Sequence, residues 1–435
     1  MGKCCDNKKA QINATDPCNP PQPQCASTSP AKKEPENRPL AWFGKMIQNC
    51  YEYAAGAKAK GKHIVGIMCE YTPRELIMAA DAVPVCLCGG SVEMIRPAEE
   101  DLPANLCPLI KSTYGYHLEK ANPFLEMADL IVAETTCDGK KKMYELMGQT
   151  RPMYVLELPQ KPADSDAMIH WISELRKLRA KLQEHFGVEV TDEKIIQAIR
   201  IMNRERQLRR ELAALMKLQP PPLTGRQLLD FKSIISGISA DLCQYAEAIE
   251  LFKNHKADSR PRQSQSGARR NSPVRVLMTG VPLVHGAERV LDIIESNGGL
   301  APDSRNRGLV VCMDNCTGLK PILEDIDETA QDPIIALAEK YLRLPCSVMT
   351  KNDRRLEILR NLAAEYRPQC IIDLIWQACL TYDVESYLVK KLAEEELGIP
   401  YLRIETDYSP SDSARIALRV EALFETVREK ADESN

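Results

Sequence analysis

Aromatic residues make up only 5% of this 435-residue chain, so rings on which nucleic-acid bases could stack are few. Neither sign of charge dominates. The formal net charge is −4 and the pI is about 6.0, which gives no general attraction to nucleic acid or to anionic lipid. No run approaches the roughly 18 uninterrupted apolar residues of a membrane-spanning helix. The opening stretch, MGKCCDNKKAQINATDPCNP, lacks the apolar centre of a signal peptide. Gly2 is second, but Asp6 occupies the sixth position, so the myristoylation pattern fails. There is no GxxxxGKS/T loop and hence no P-loop nucleotide site. CxxC pairs are also absent, and histidines number only 6. These absences predict a cytoplasmic protein with no nucleic-acid and no membrane partner.

What is present in excess is cysteine, with 16 residues. In a cytoplasmic chain that abundance points to metal binding or redox chemistry rather than to disulfides. The length allows two or three domains with a substantial core. Residues 1–38, rich in Pro, Asn, Gln, Ser and Lys, read as a disordered tail. Its Cys4, Cys5, Cys18 and Cys25 cannot be preorganised as ligands there.

From residue 39 to 163 the chain alternates apolar runs with helical stretches. A helix is expected over Trp42–Gly56. Strands are expected at His63–Cys69, Val83–Leu87, Asp129–Glu134 and Met153–Leu158. Continuous apolar runs suit strands buried on both faces of a parallel sheet. Thr72 and Pro73 predict the cap and first turn of a helix. Residues 164–257 read as a helical segment, with Thr191 capping its second long helix, Pro220-Pro221-Pro222 following it, and GRQLLDFKSIIS as a further helix. Residues 258–273, polar and Arg-rich, read as a flexible linker. The α/β alternation then resumes over 274–435, with a helix stopped by Gly298-Gly299. The fold class expected is α/β, with two doubly wound parallel-sheet, flavodoxin-like domains and a helical segment between them.

Ligands of open parallel sheets sit beyond the carboxyl ends of the strands, and several cysteines fall there. Cys69 ends a strand before a helix. Cys137 follows another. Cys107 precedes Pro108, near a helix N-terminus where backbone N–H groups favour an anion. In the second half Cys316 lies in the turn beyond an apolar run, Cys346 follows a helix, and Cys379 ends a strand. Neighbours within each trio lie roughly 30 to 40 residues apart, so the fold and not one loop would assemble the site. Soft thiolates without histidine favour an iron–sulfur cluster over a hard cation. Free cysteine also packs well in cores. Packing is the expected role of Cys50, Cys86, Cys88, Cys243 and Cys370. Cys312 lies within an apolar run four residues before Cys316, and CMDNC leaves Cys312 as the alternative ligand to Cys316.

Other polar residues near these positions have two readings. Lys140, Lys141 and Lys142 can offset cluster charge or meet a partner; a solvated helix face accounts for at least two of them. His285 follows the first strand of the second half and is a weak candidate for a proton donor, or a surface residue. His117 and Tyr114 can touch ligand sulfur or simply pack. Glu70 and Glu75 flank the first candidate ligand, and the helix start alone stabilises Glu75.

The stretch Cys69-Glu70-Tyr71-Thr72-Pro73-Arg74-Glu75-Leu76, with Val83-Pro84, Cys107-Pro108, Thr136-Cys137-Asp138-Gly139-Lys140-Lys141-Lys142, Asp314-Asn315-Cys316-Thr317-Gly318 and Cys346-Ser347-Val348-Met349, resembles the 2-hydroxyacyl-CoA dehydratase and benzoyl-CoA reductase family. The likeness runs over about residues 40–425. It implies that Cys69, Cys107 and Cys137 hold a [4Fe–4S] cluster. With Cys316, Cys346 and Cys379 also cysteine, the chain is most similar to the double-cubane branch, in which two [4Fe–4S] units share a sulfide as [8Fe–9S]. That resemblance implies a homodimer of an anaerobic, ATP-dependent reductase of small molecules such as acetylene or hydrazine. Its electrons would come from a separate ATP-hydrolysing activator with its own [4Fe–4S] cluster. The alternatives are a 2-hydroxyacyl-CoA dehydratase subunit with one [4Fe–4S] cluster, and a non-catalytic electron carrier of the same fold.

Overall fold

Among the described residues, eight strands form two four-stranded parallel sheets of identical winding. In the first, β1 (His63–Ile67), β2 (Ala82–Cys86), β3 (Leu130–Glu134) and β4 (Met153–Leu156) lie in the order β2-β1-β3-β4. In the second, β5 (Val274–Gly280), β6 (Gly308–Asp314), β7 (Cys370–Trp376) and β8 (Tyr401–Thr406) lie in the order β6-β5-β7-β8. This is the flavodoxin-like order, with a switch point beside the first strand of each sheet. The computed structural model describes residues 38–254, 272–296 and 307–433. The tail expected over 1–38 (Arg38 apart), nearly all of the 258–273 linker and the Gly298-Gly299 helix stop lie outside the described residues.

The apolar runs become strands because both their faces are covered. β3, β5 and β7 are buried along their whole length, and every strand pairing is parallel. The long helices follow the apolar spacing. Ser165–Phe186 buries Trp171, Leu175, Leu178 and Leu182 on one face. Asp192–Ala214 starts where the Thr191 hydroxyl accepts the Lys194 N–H at 3.3 Å. The two halves share apolar cores. One joins Ile67, Leu76 and Trp171 from the first half to Leu337 and Tyr341 from the second; another joins Met68 and Leu87 to Leu283 and Leu374. Among the described residues no helix is long and apolar enough to cross a membrane.

Two local expectations need correction. Thr72 does not cap the helix Arg74–Ala79, whose N-terminal boundary residue is Pro73. The Thr72 hydroxyl instead donates to the buried carboxylate of Glu134 at the end of β3, a partner 62 residues away. GRQLLDFKSIIS is helical only over Gly225–Asp230. The following residues run beside β2, where the Cys86 N–H donates to the Ile234 carbonyl at 2.8 Å and Val85 bridges Ile235. Hydrogen bonding at the sheet edge has overridden helix propensity there.

Candidate metal centre

Each of the six expected ligand cysteines sits at the end of a strand or near the end of a helix. Cys69 lies just beyond β1 and Cys316 just beyond β6. Cys107, Cys137 and Cys379 are the N-terminal boundary residues of the helices Pro108–Leu118, Asp138–Met147 and Leu380–Lys391. Free N–H groups at such helix starts favour a thiolate. Cys346 lies in the loop after Pro333–Leu342. Its carbonyl accepts from Asn352 at 3.0 Å, and its neighbour Ser347 bonds Thr381 at 2.9 Å, two residues past Cys379.

The fold brings these cysteines from both halves to one rim. The Cys379 and Cys107 thiols act on one another across the two halves. Cys379 and the N–H groups of Leu109 and Ile110 hold Cys107 below the usual thiol range, against burial. Cys107 and burial push Cys379 up. Burial pushes Cys69 well up; Lys140 opposes this, and Glu134, Cys316 and Cys346 add to it. Cys137 is raised by burial, with Cys379 and Cys346 contributing and Lys140 opposing. Burial takes Cys316 up to about 12, Cys346 contributing and Lys320 opposing. Cys69, Cys107, Cys137 and Cys379 thus each feel at least one sulfur from the opposite half.

Among the described residues no three His, Cys, Asp or Glu side chains converge to hold one metal ion. A cubane makes no such demand, because each of its thiolates takes a different iron. The donor set fits a cluster of that kind: soft sulfurs, partly or fully buried, with Lys140 and Lys320 nearby to balance negative charge. Lys140 Nζ donates to the Met68 carbonyl at 2.8 Å. Lys320 Nζ donates to the Tyr382 hydroxyl at 2.9 Å. Lys141 pairs with Asp138 and Lys142 with Glu145 on the outer helix face, so one of the three lysines serves the rim.

Cys312 and Cys316 part company. Cys312 is buried in a core with Leu277, Leu359 and Tyr366, and the charges it senses are Asp314, Glu365 and Lys217, none of them the rim's. Cys370 likewise lies in the core, and Cys50 packs beside Ser233 at 3.1 Å. His117 bonds Thr150 at 3.1 Å and Tyr114 donates to Asp101 at 2.9 Å; both are structural. His285 is 63% exposed, 3.8 Å from Glu288, at the mouth of a cavity beside the rim.

That cavity measures about 110 Å³. Cys69, Cys86, Cys88 and Cys316 line one part of it, and Arg206, Arg209, Lys232 and Lys340 another. Cys86 and Cys88 therefore face the site instead of only packing. The Cys88 thiol also donates to the Met68 carbonyl at 3.3 Å. A CxC pair at a strand end was the available signal for them. The basic residues come from the helical segment and from Pro333–Leu342, and nothing local marks them. Glu75 is fully buried; it pairs with Arg206 and accepts from the Tyr341 hydroxyl at 2.7 Å.

The turn carrying Cys316 is tight. Gly318 N–H donates to Asn315 at 3.1 Å, and a Cβ on Gly318 would lie 2.3 Å from the Met313 carbonyl oxygen. Gly318→Ala is expected to displace the turn and cost about 1–3 kcal/mol. A lower midpoint in thermal unfolding, together with reduced iron retention, checks this; wild-type values for both would refute it.

The family model for the D-component of 2-hydroxyglutaryl-CoA dehydratase matches residues 69–427, a span that holds all six rim cysteines. The chain belongs to the 2-hydroxyglutaryl-CoA dehydratase D-component family. Within this family, it is 40% identical to the "Putative dehydratase subunit YjiM" of Escherichia coli (strain K12), over 88% of this chain and 96% of that one. It is 23% identical to the (R)-phenyllactyl-CoA dehydratase beta subunit of Clostridium sporogenes, over 88% of this chain and 97% of the relative. Similarity to one of the subunits of benzoyl-CoA reductase from Thauera aromatica is 26% over 37% of this chain and 42% of that one. The family thus includes proteins named as dehydratases and as reductases, and an enzyme is the common denominator.

Proposed function

We propose that Cys69, Cys107, Cys137, Cys316, Cys346 and Cys379 hold an [8Fe–9S] double-cubane cluster between the two sheets. In this reading the chain is an ATP-dependent reductase of small molecules. The observation that carries the reading is the meeting of three sulfurs from each half at a single rim. One cubane would leave the second trio without work. When bound, the cluster supplies electrons at low potential, and its surroundings tune that potential.

The chain's own residues prepare the place. Burial keeps Cys69, Cys137, Cys316 and Cys379 from ionising alone, so binding must displace their protons and is expected to weaken as pH falls. Lys140, anchored on Met68, sets a positive charge beside Cys69. The Tyr71 hydroxyl donates to the Leu344 carbonyl at 2.7 Å, tying the Cys69 loop to the Cys346 loop. Shared apolar cores exclude water behind the rim. With no P-loop here, ATP hydrolysis is assigned to a separate activator that carries its own [4Fe–4S] cluster, and a homodimer is the proposed assembly. His285 at the cavity mouth is the candidate proton donor.

The second reading is a lyase, a 2-hydroxyacyl-CoA dehydratase subunit with one [4Fe–4S] cluster. The names of its relatives favour it. Iron and sulfide analysis of anaerobically purified protein separates the two. The first reading expects about eight irons per chain and the second about four; a value near four sinks the first.

A further inference from the structure

The cavity beside the rim has more positive charge than its walls can neutralise. Arg74 pairs with Glu70 at 3.0 Å, Arg209 with Glu205 at 3.6 Å, and Arg206 with Glu75. Three ammonium groups remain. Lys140 belongs to the thiol rim. Lys232 Nζ donates to the Leu283 carbonyl, at 3.3 Å. Lys340 Nζ has the Pro321 carbonyl at 3.1 Å and lies 4.3 Å from the centre of the Tyr341 ring. Among the described residues neither has a carboxylate within ion-pair distance; Glu75 and Glu70 act on Lys340, and Glu288 and Glu70 on Lys232, only from farther off, and Lys340 is only 7% exposed. Burying an ammonium without a counter-charge costs several kcal/mol. These two lysines come from separate elements, the segment after Gly225–Asp230 and the helix Pro333–Leu342, yet line one cavity.

We propose that this cavity binds a short organic acid, its carboxylate between Lys232 and Lys340 and its carbon chain toward Cys69 and Cys316. The carboxylate supplies the missing counter-charge. Met68, Leu109, Val284 and Ile322 supply apolar wall, which suits a carbon chain better than an inorganic oxyanion. About 110 Å³ is well below the roughly 300–1,000 Å³ of pockets that enclose drug-sized ligands, so the acid has only a few carbons and enters without a nucleotide carrier. Burial, helped by the Arg206 charge and opposed by Glu75 and Glu70, draws Lys340 down to about 7, so that an anion in direct contact would favour its charged form. As a substrate site the cavity rests on the reading above; as a binding site it does not.

The test is calorimetric titration of the full chain, purified anaerobically, at about pH 6. Crotonate is the probe, with crotonamide, inorganic phosphate and crotonyl-CoA as comparisons. Crotonate is expected to bind one per chain, with crotonamide and phosphate at least tenfold weaker. Lys232→Met and Lys340→Met should each weaken crotonate by tenfold or more while iron content stays at the wild-type value. Equal binding of crotonate and crotonamide overturns the proposal, as does displacement by phosphate, binding of the CoA ester alone, wild-type affinity in both variants, or no crotonate binding at 10 mM. If a variant fails to fold, the comparison of probes on the wild type still decides. Crotonate binding as expected in protein without iron overturns the cluster reading and supports the acid site.

Discussion

Replacing Arg206 by methionine is expected to cost about 3–5 kcal/mol of stability, because it strands the Glu75 carboxylate in the interior. Arg206 and Glu75 are both almost wholly buried, and their contact joins the helix Asp192–Ala214 to Arg74–Ala79 just behind Cys69. Burial acts to raise Glu75, but Arg206, the Tyr341 hydroxyl and Lys340 prevail and hold it below its ordinary value of 4.5. A carboxyl depressed in the folded state stabilises above its unfolded pKa and loses that contribution as pH falls through the folded one. The deficit of the variant should therefore be full at neutral pH and shrink in acid. Denaturant unfolding at several pH values measures it. The double change Arg206→Met with Glu75→Gln should recover most of the loss, since neither partner of the pair is then left charged and alone. A deficit below about 1 kcal/mol at neutral pH would show that the pair is not what holds this wall.

The second large effect concerns Cys379. Under the double-cubane reading, Cys379→Ala should lower iron to about half of the wild-type content or less and diminish the sulfur-to-iron absorption in the visible range. Cys312→Ala, four residues before Cys316 but inside the core, should leave iron unchanged and cost about 1 kcal/mol through lost packing. Wild-type iron in Cys379→Ala would favour the single-cluster dehydratase reading. Iron loss in Cys312→Ala would exchange the roles of the two cysteines of CMDNC.

Where one stretch of chain contains its own cause, the sequence was readable. The apolar runs at β1, β3, β5 and β7 are strands because nothing but a sheet interior accommodates them. The Thr191 cap works through a bond three residues long. Cysteines at strand ends could be located because parallel sheets put their rims there. Residues whose partners are distant could not be read. Thr72 looked like a cap until Glu134 was beside it. Phe231–Ser236 continued a helical pattern until the edge of β2 offered hydrogen bonds. Lys232 and Lys340 are unremarkable lysines in sequence; only the folded cavity shows that neither has a carboxylate within ion-pair distance.

The rim is also closed late. The Tyr71–Leu344 bond spans 273 positions and the Glu75–Tyr341 bond 266, and Gly90 N–H reaches the His285 carbonyl at 3.1 Å. A ribosome delivers the first trio of cysteines long before the residues that cover them. During synthesis Cys69, Cys107 and Cys137 therefore wait for the residues of the second half that pack beside them. Folding of such long-range contacts is slow to begin. Translation is thus the interval in which oxygen is expected to reach these thiols most easily.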